Sequence, residues 1–149
     1  MINRAEAIRP FYVMEIMARA QRRPAEAPEV VSMVVGEPDF PTPAPIVRAA
    51  REALDDNRIR YTHALGLDEL RQAIAQDYQH RDQINLPAHR IGVTAGASAG
   101  LLLSLAAVLS PGDELLVPDP GYPCNRQFAL AVGAIPKRLA THAGHNYQP

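Results

Sequence analysis

Apolar residues recur with the period of an α-helix in several parts of this chain. The pattern predicts helices over residues 11–20, 43–57, 67–81, 98–109 and 125–132. In the second of these, Thr42 has the character of an N-cap, and Pro43 suits the first helical position. The apolar positions predicted to face a core are Val13, Ile16, Met17 and Ala20, then Ile46, Val47, Ala50 and Leu54, then Leu70, Ala73, Ile74 and Tyr78.

Short β-branched runs predict strands between these helices, at residues 30–35, 91–94, 115–118 and 135–139. Residues 98–109 are apolar on nearly all sides, which is typical of a helix buried against a sheet. Strand 91–94, this helix and strand 115–118 therefore predict a βαβ unit of an α/β fold. Ligands of such folds bind at the carboxyl ends of parallel strands, which places a site near Gly96.

The junction at Gly96 favours an anion, because the first amides of a helix have no intrahelical acceptors and carry partial positive charge. Gly96 and Ala97 allow a ligand to approach the backbone closely. The Ser98 hydroxyl is predicted to cap the helix and to donate to a phosphate oxygen. The alternative is that these small residues only pack the helix against the sheet.

Charge and composition give little sign of a polymeric partner. The formal net charge is -1, with 15 basic and 16 acidic residues, so no basic surface for nucleic acid or membrane is indicated. The apolar run at 101–109 is too short to span a bilayer. A cytoplasmic location is expected. The single cysteine, Cys124, cannot form an internal disulfide, and the pair His142 and His145 is too few for a metal site, so no metal is expected.

Several dispersed motifs resemble the class I/II, fold-type I, aspartate aminotransferase-like enzymes. They appear in order as Val34-Val35-Gly36-Glu37-Pro38-Asp39-Phe40-Pro41-Thr42-Pro43, Arg60-Tyr61-Thr62, Gly66-Leu67-Asp68-Glu69-Leu70-Arg71, Val93-Thr94-Ala95-Gly96-Ala97-Ser98, Pro111-Gly112-Asp113-Glu114 and Asp119-Pro120-Gly121-Tyr122-Pro123. The resemblance implies the N-terminal part of a fold-type I transferase, in which a helical segment precedes the large-domain βαβ sheet. It implies an N-terminal arm and small-domain segment at 1–42 and an incomplete large domain at 43–149.

The resemblance also implies pyridoxal 5′-phosphate (PLP) as cofactor. Gly96 and the amides of Ala97 and Ser98 would then hold its phosphate, and Tyr122 would stack on its pyridine ring. Tyr61 matches a tyrosine that reaches the cofactor phosphate of the neighbouring subunit, which implies a homodimer. The alternative for Tyr122 is a core position at a strand end, and for Tyr61 an ordering role in the loop before Gly66.

Gly36 corresponds to a glycine whose backbone lies near the substrate carboxylate. The turn at residues 36–43 would also call for glycine without any substrate, so both explanations stay open. An aminotransferase further needs a lysine that binds the cofactor covalently and moves the substrate's α-proton. Lys137 is the only lysine, and it lies in a predicted strand outside the family's Schiff-base segment. No catalytic residue is therefore expected in this chain, and the lysine is expected beyond Pro149.

These observations predict an aminotransferase that acts on an amino acid and a 2-oxo acid, present here as a fragment that is inactive alone. A lyase or decarboxylase of the same fold is the first alternative. A non-catalytic dimerising or ligand-binding piece is the second, with self-association through exposed apolar faces. A nucleotide-binding βαβ unit is disfavoured, because Gly92, Gly96 and Gly100 match neither phosphate-loop spacing.

Overall fold

The computed structural model describes residues 4–23 and 31–148. Among these residues, 4–23, 31–35 and 95–148 belong to one compact unit, here the first unit, and 36–94 form the second unit. The predicted boundary between residues 42 and 43 concerns the domains of a complete enzyme and stays a prediction.

The first unit contains α1 (Arg4–Ala7), α2 (Tyr12–Gln21), α5 (Gly96–Val108), β1 (Glu114–Asp119), α6 (Pro123–Val132) and β2 (Ile135–Ala140), followed by a 3₁₀ turn at Ala143–His145. Strands β1 and β2 pair in parallel, with Glu114 opposite Ile135 and Asp119 opposite Ala140. Helix α6 connects them, so β1, α6 and β2 form a βαβ unit. The α/β prediction is confirmed.

The core of the first unit lies where α6 packs on both strands. Ala129 is fully buried in the middle of α6, and Val117 and Ala134 are buried on β1 and just before β2. Helices α1 and α5 also pack against α6. Thr141 follows β2 and is buried as well, and its amide donates to the carbonyl of Asp119 at 3.0 Å.

The second unit contains α3 (Ala44–Asp55), α4 (Asp68–Asp82) and a 3₁₀ turn at Ala88–Arg90 that packs on α4. The Arg71 side chain joins these two elements. Its Nε and Nη2 donate to the Ala88 carbonyl at 3.1 and 3.0 Å, and its Nη1 lies 2.7 Å from Asp68 Oδ1. Only 12% of the Arg71 side chain is exposed, in contrast with 67% for Asp68.

The predicted strand at 91–94 is wrong, because this segment is irregular. Its backbone amides bond outside any sheet instead: the Ile91 amide donates to the nearby Ala88 at 3.2 Å and the Val93 amide to the distant Leu65 at 3.0 Å. The predicted strands at 115–118 and 135–139 and the helix between them are present, so the βαβ unit consists of these elements and not of the one predicted to begin at 91–94. Residues 31–35 are irregular too, and Val30 lies outside the described residues. A strand needs a neighbouring strand, which an apolar run cannot supply by itself.

The predicted helices are present, with ends shifted by at most two residues. Pro43 is the N-cap of α3, a position predicted for Thr42, and α5 begins at Gly96 rather than Ser98. The apolar positions predicted to face a core are at most partly buried, as Val13, Met17, Val47 and Ile74 are. Ile46 on α3 is 58% exposed and Leu103 on α5 is 63% exposed. The apolar period marks the face that favours burial, but burial requires a packing partner that the described residues do not provide.

Candidate functional site

The start of α5 is open to solvent. Gly96 has φ +80°, which favours glycine, and a Cβ added there would meet no atom within 4 Å. Ala97 and Ser98 are exposed in the first turn, where backbone amides have no intrahelical acceptor. The N-cap is Ala95 and has no side-chain hydrogen bond, so the prediction that Ser98 caps the helix is wrong. The geometry leaves the amides of Ala97 and Ser98 accessible to an anion.

Tyr122 lies in the turn after β1 and is the N-cap residue of α6. Its backbone is fixed, because its carbonyl accepts from the Asn125 amide at 3.2 Å. The preceding Gly121 has no room for a side chain, since a Cβ there would clash with the Pro118 carbonyl oxygen. Tyr122 is 54% exposed, which disfavours the alternative of a core tyrosine.

Two side chains adjoin the Tyr122 ring. The Phe11 ring meets it edge to face, with centroids 6.2 Å apart and planes at 74°. The neighbouring Cys124 thiol raises the pKa of Tyr122 above its ordinary value, through hydrogen bonding and charge. The contact between Phe11 and Tyr122 was not predicted, because no local sequence pattern links two residues so far apart in the chain.

A cavity of about 340 Å³ adjoins this aromatic pair. Residues 9–13 form one wall, and residues from β1 and the start of α6 form the other. Apolar side chains dominate the lining, with Arg9, Arg126 and Arg138 among its polar members. Arg138 is paired with Asp119 at 3.2 Å.

The first unit thus contains Gly96, Ala97, Ser98 and Tyr122, on two helices that pack together. Gly36 and Tyr61 belong to the second unit. Gly36 is exposed, its φ lies outside the left-handed region, and a Cβ there would meet nothing within 4 Å. The turn itself therefore does not require glycine at 36. The Tyr61 side chain is fully exposed, which disfavours an ordering role through packing within its loop.

Lys137 lies on β2, where its Nζ is 2.9 Å from Glu114 Oε1 on β1. The two side chains are about half exposed, which is typical of a cross-strand surface pair. Within residues 4–23 and 31–148, no group of three or more His, Cys, Asp or Glu side chains is arranged to hold a metal ion.

The sequence model of the family "Aminotransferase class I and II" matches residues 28–148. The chain belongs to this family. A (5-formylfuran-3-yl)methyl phosphate transaminase of Methanocaldococcus jannaschii is 37% identical over 126 residues, which are 85% of this chain and 34% of that protein. A valine–pyruvate aminotransferase of Mycobacterium tuberculosis is 36% identical over 94% of this chain and 36% of that protein.

Solved aminotransferase structures share the fold. An aminotransferase from Mycobacterium tuberculosis superposes on the whole chain with a TM-score of 0.91 and 36% identity. Aspartate aminotransferase from Thermotoga maritima does so with a TM-score of 0.90 and 31% identity. The chain spans 38% and 40% of the length of these two proteins.

These matches confirm the family and fold expected from the dispersed motifs. Members of this family are generally PLP-dependent. No helix among the described residues has the length and apolar character needed to cross a membrane.

Proposed function

We propose that this chain is the cofactor-binding part of a PLP-dependent aminotransferase, which transfers an amino group between an amino acid and a 2-oxo acid. The observation that carries the proposal is the open start of α5 in the same unit as a half-exposed Tyr122. Membership in the aminotransferase family supports it.

The phosphate of PLP fits the start of α5. The amides of Ala97 and Ser98 supply donors, and the helix dipole favours the negative charge. Gly96 leaves open space where a side chain would stand. Hydrogen bonds to a charged group contribute about 1.5–3 kcal/mol each, so two such donors would provide a substantial anchor.

The ring of PLP fits Tyr122. A flat, electron-poor heterocycle binds well on an aromatic face, and half of this side chain is free of protein contacts. When bound, the cofactor supplies the electron sink for chemistry at the α-carbon of the amino acid. The part of this chain is to hold and orient that group.

We further propose that the lysine of the reaction lies outside residues 1–149. Lys137 is a poor candidate, because its ammonium is engaged by Glu114 on the exposed side of a strand pair.

The assembly proposed for the enzyme is a homodimer. Full exposure of Tyr61 supports this, because a ring that the described residues leave exposed to solvent is available to a neighbouring subunit. Gly36 is proposed to lie against the substrate carboxylate, since the local backbone gives no reason of its own for glycine. The similar proteins are named for different substrates, so the proposed substrates of this chain are given only as classes, an amino acid and a 2-oxo acid.

Titration of purified chain 1–149 with inorganic phosphate and with PLP tests the cofactor site. Ala97→Pro removes one amide donor from a position where the first turn of a helix tolerates proline. We expect it to lower the affinity for both ligands about tenfold or more, as the loss of one charge-assisted hydrogen bond predicts. Ala44→Pro introduces proline into the first turn of another helix, α3, and is expected to leave both affinities unchanged.

Equal affinities in the two variants would remove the start of α5 from the site. Borohydride reduction followed by peptide mass mapping tests the role of Lys137. Specific attachment of the cofactor to Lys137 would overturn the proposal that the reactive lysine lies elsewhere. Reversible binding without such attachment would support it.

A further inference from the structure

The segment that precedes α2 contacts the ring proposed to stack on the cofactor. We infer that Phe11 is a positioning residue, which restrains the tilt of the Tyr122 ring on which the cofactor ring is proposed to stack. This inference rests on the proposed function. Phe11 is distant from Tyr122 in the sequence and lies outside the motifs that resemble the aminotransferases.

The geometry of the pair supports this role. The centroid distance of 6.2 Å and the angle of 74° are within the range that aromatic pairs prefer, and one half of the Tyr122 side chain stays exposed. Phe11 therefore restrains the ring from one side while it leaves surface for a ligand.

Phe11 is itself held in place. It is the N-cap residue of α2, and its carbonyl accepts from the Met14 amide at 3.0 Å. Two residues earlier, the Arg9 amide donates to Gln127 Oε1 on α6 at 3.1 Å. The segment is thus tied to the same helix that begins at Tyr122, so the two rings have a common support.

The backbone of Tyr122 is already fixed, which leaves its side-chain torsions as the remaining freedom. Without Phe11, the ring would sample other tilts, and ordering it on binding would reduce the binding free energy of a ligand. Aromatic pairs of this kind contribute enough for a change in affinity of about two- to tenfold. The effect should appear in binding of the cofactor ring and not in binding of phosphate.

A double-mutant cycle in chain 1–149 tests this inference. The probe is pyridoxamine 5′-phosphate, which has no aldehyde and cannot attach to Lys137, with inorganic phosphate as the second ligand. We expect Phe11→Leu to weaken the probe about two- to tenfold and to leave phosphate unchanged. Phe11→Tyr keeps a ring and should bind like the wild type.

In a Tyr122→Leu background, Phe11→Leu should cost nothing further, because its effect passes through the Tyr122 ring. A purely structural role would weaken the probe in both backgrounds. Tyr12→Leu is the matched control, since Tyr12 lines the same cavity next to Phe11 but is outside the ring pair. Circular dichroism verifies folding, and Phe11→Met replaces Phe11→Leu if the latter fails to fold.

Equal probe affinities for Phe11→Leu and the wild type would overturn the role of Phe11. If Ala97→Pro still weakened both ligands in the same preparation, the proposed function would stand and only this inference would fall. Failure of the wild-type chain to bind either ligand would instead count against the proposed site, and with it against the inference.

Discussion

Gly66 is the position where a single added methyl group should cost the second unit most. Its φ of +91° lies in the left-handed region, and an added Cβ would stand 2.8 Å from Val93 Cβ and 2.9 Å from Val93 Cγ2. The left-handed conformation costs a residue with a Cβ about 1–2 kcal/mol, and overpacking typically costs about 1–3 kcal/mol. We therefore expect Gly66→Ala to lower the free energy of unfolding by about 2–5 kcal/mol.

The clash cannot be relieved cheaply, because Val93 is fixed by the hydrogen bond from its amide to the Leu65 carbonyl. Urea denaturation followed by circular dichroism measures the change. Gly92→Ala is the control in the same unit, since its Cβ would meet Leu65 Cδ2 at an ordinary 3.6 Å, and it should be close to neutral. Adding Val93→Ala to Gly66→Ala should remove the overpacking contribution to the loss of stability and leave the contribution of the left-handed backbone. Indistinguishable midpoints for Gly66→Ala and Gly92→Ala would refute this reasoning.

Three further changes have expected outcomes. Thr141 Oγ1 is buried and has no partner among the described residues, so Thr141→Val should raise the free energy of unfolding by about 1 kcal/mol in urea denaturation; a loss would contradict this. Cys124→Ala should lower the pKa of Tyr122 in an ultraviolet pH titration. Because the folded chain holds the phenolic proton more tightly, the associated stability is present below the ordinary tyrosine pKa and lost as pH rises through the raised value; an unchanged titration would exclude Cys124 as the cause. Glu114→Gln should change stability by less than about 1 kcal/mol, and the change should shrink with added salt, because its pair with Lys137 is exposed.

The helices were predictable because their signals are local. The spacing of Leu70 and Ile74 and the acidic residues of the first turn lie within α4 itself, and α4 begins within one residue of the prediction. The irregular structure of residues 91–94 was not predictable in this way, because strand formation depends on pairing with a neighbouring segment. The amide of Val93 donates to the carbonyl of Leu65, and the pattern of apolar residues in the sequence does not predict this partner.

The candidate site shows the same division. Gly96 was predicted as a site residue because a glycine just before an apolar helix is recognisable from the local sequence. Its left-handed backbone conformation agrees with that prediction. The helix nevertheless begins there, and this makes Ser98 a first-turn residue instead of a cap. Phe11 was missed because its contact with Tyr122 arises only when α6 and the residues before α2 come together.

The guanidinium of Arg71 has a consequence for which sequence changes this chain can tolerate. Three of its nitrogens are directed at two acceptors, on Ala88 and Asp68, from a nearly buried position. Lysine carries the same charge but has a single nitrogen, so it cannot reproduce the paired donors of the planar group. Position 71 should therefore be closed to the exchange of arginine for lysine that exposed surfaces readily accept. Related sequences should therefore keep arginine at position 71, whereas lysine should be tolerated at Arg58, where the ion pair is exposed.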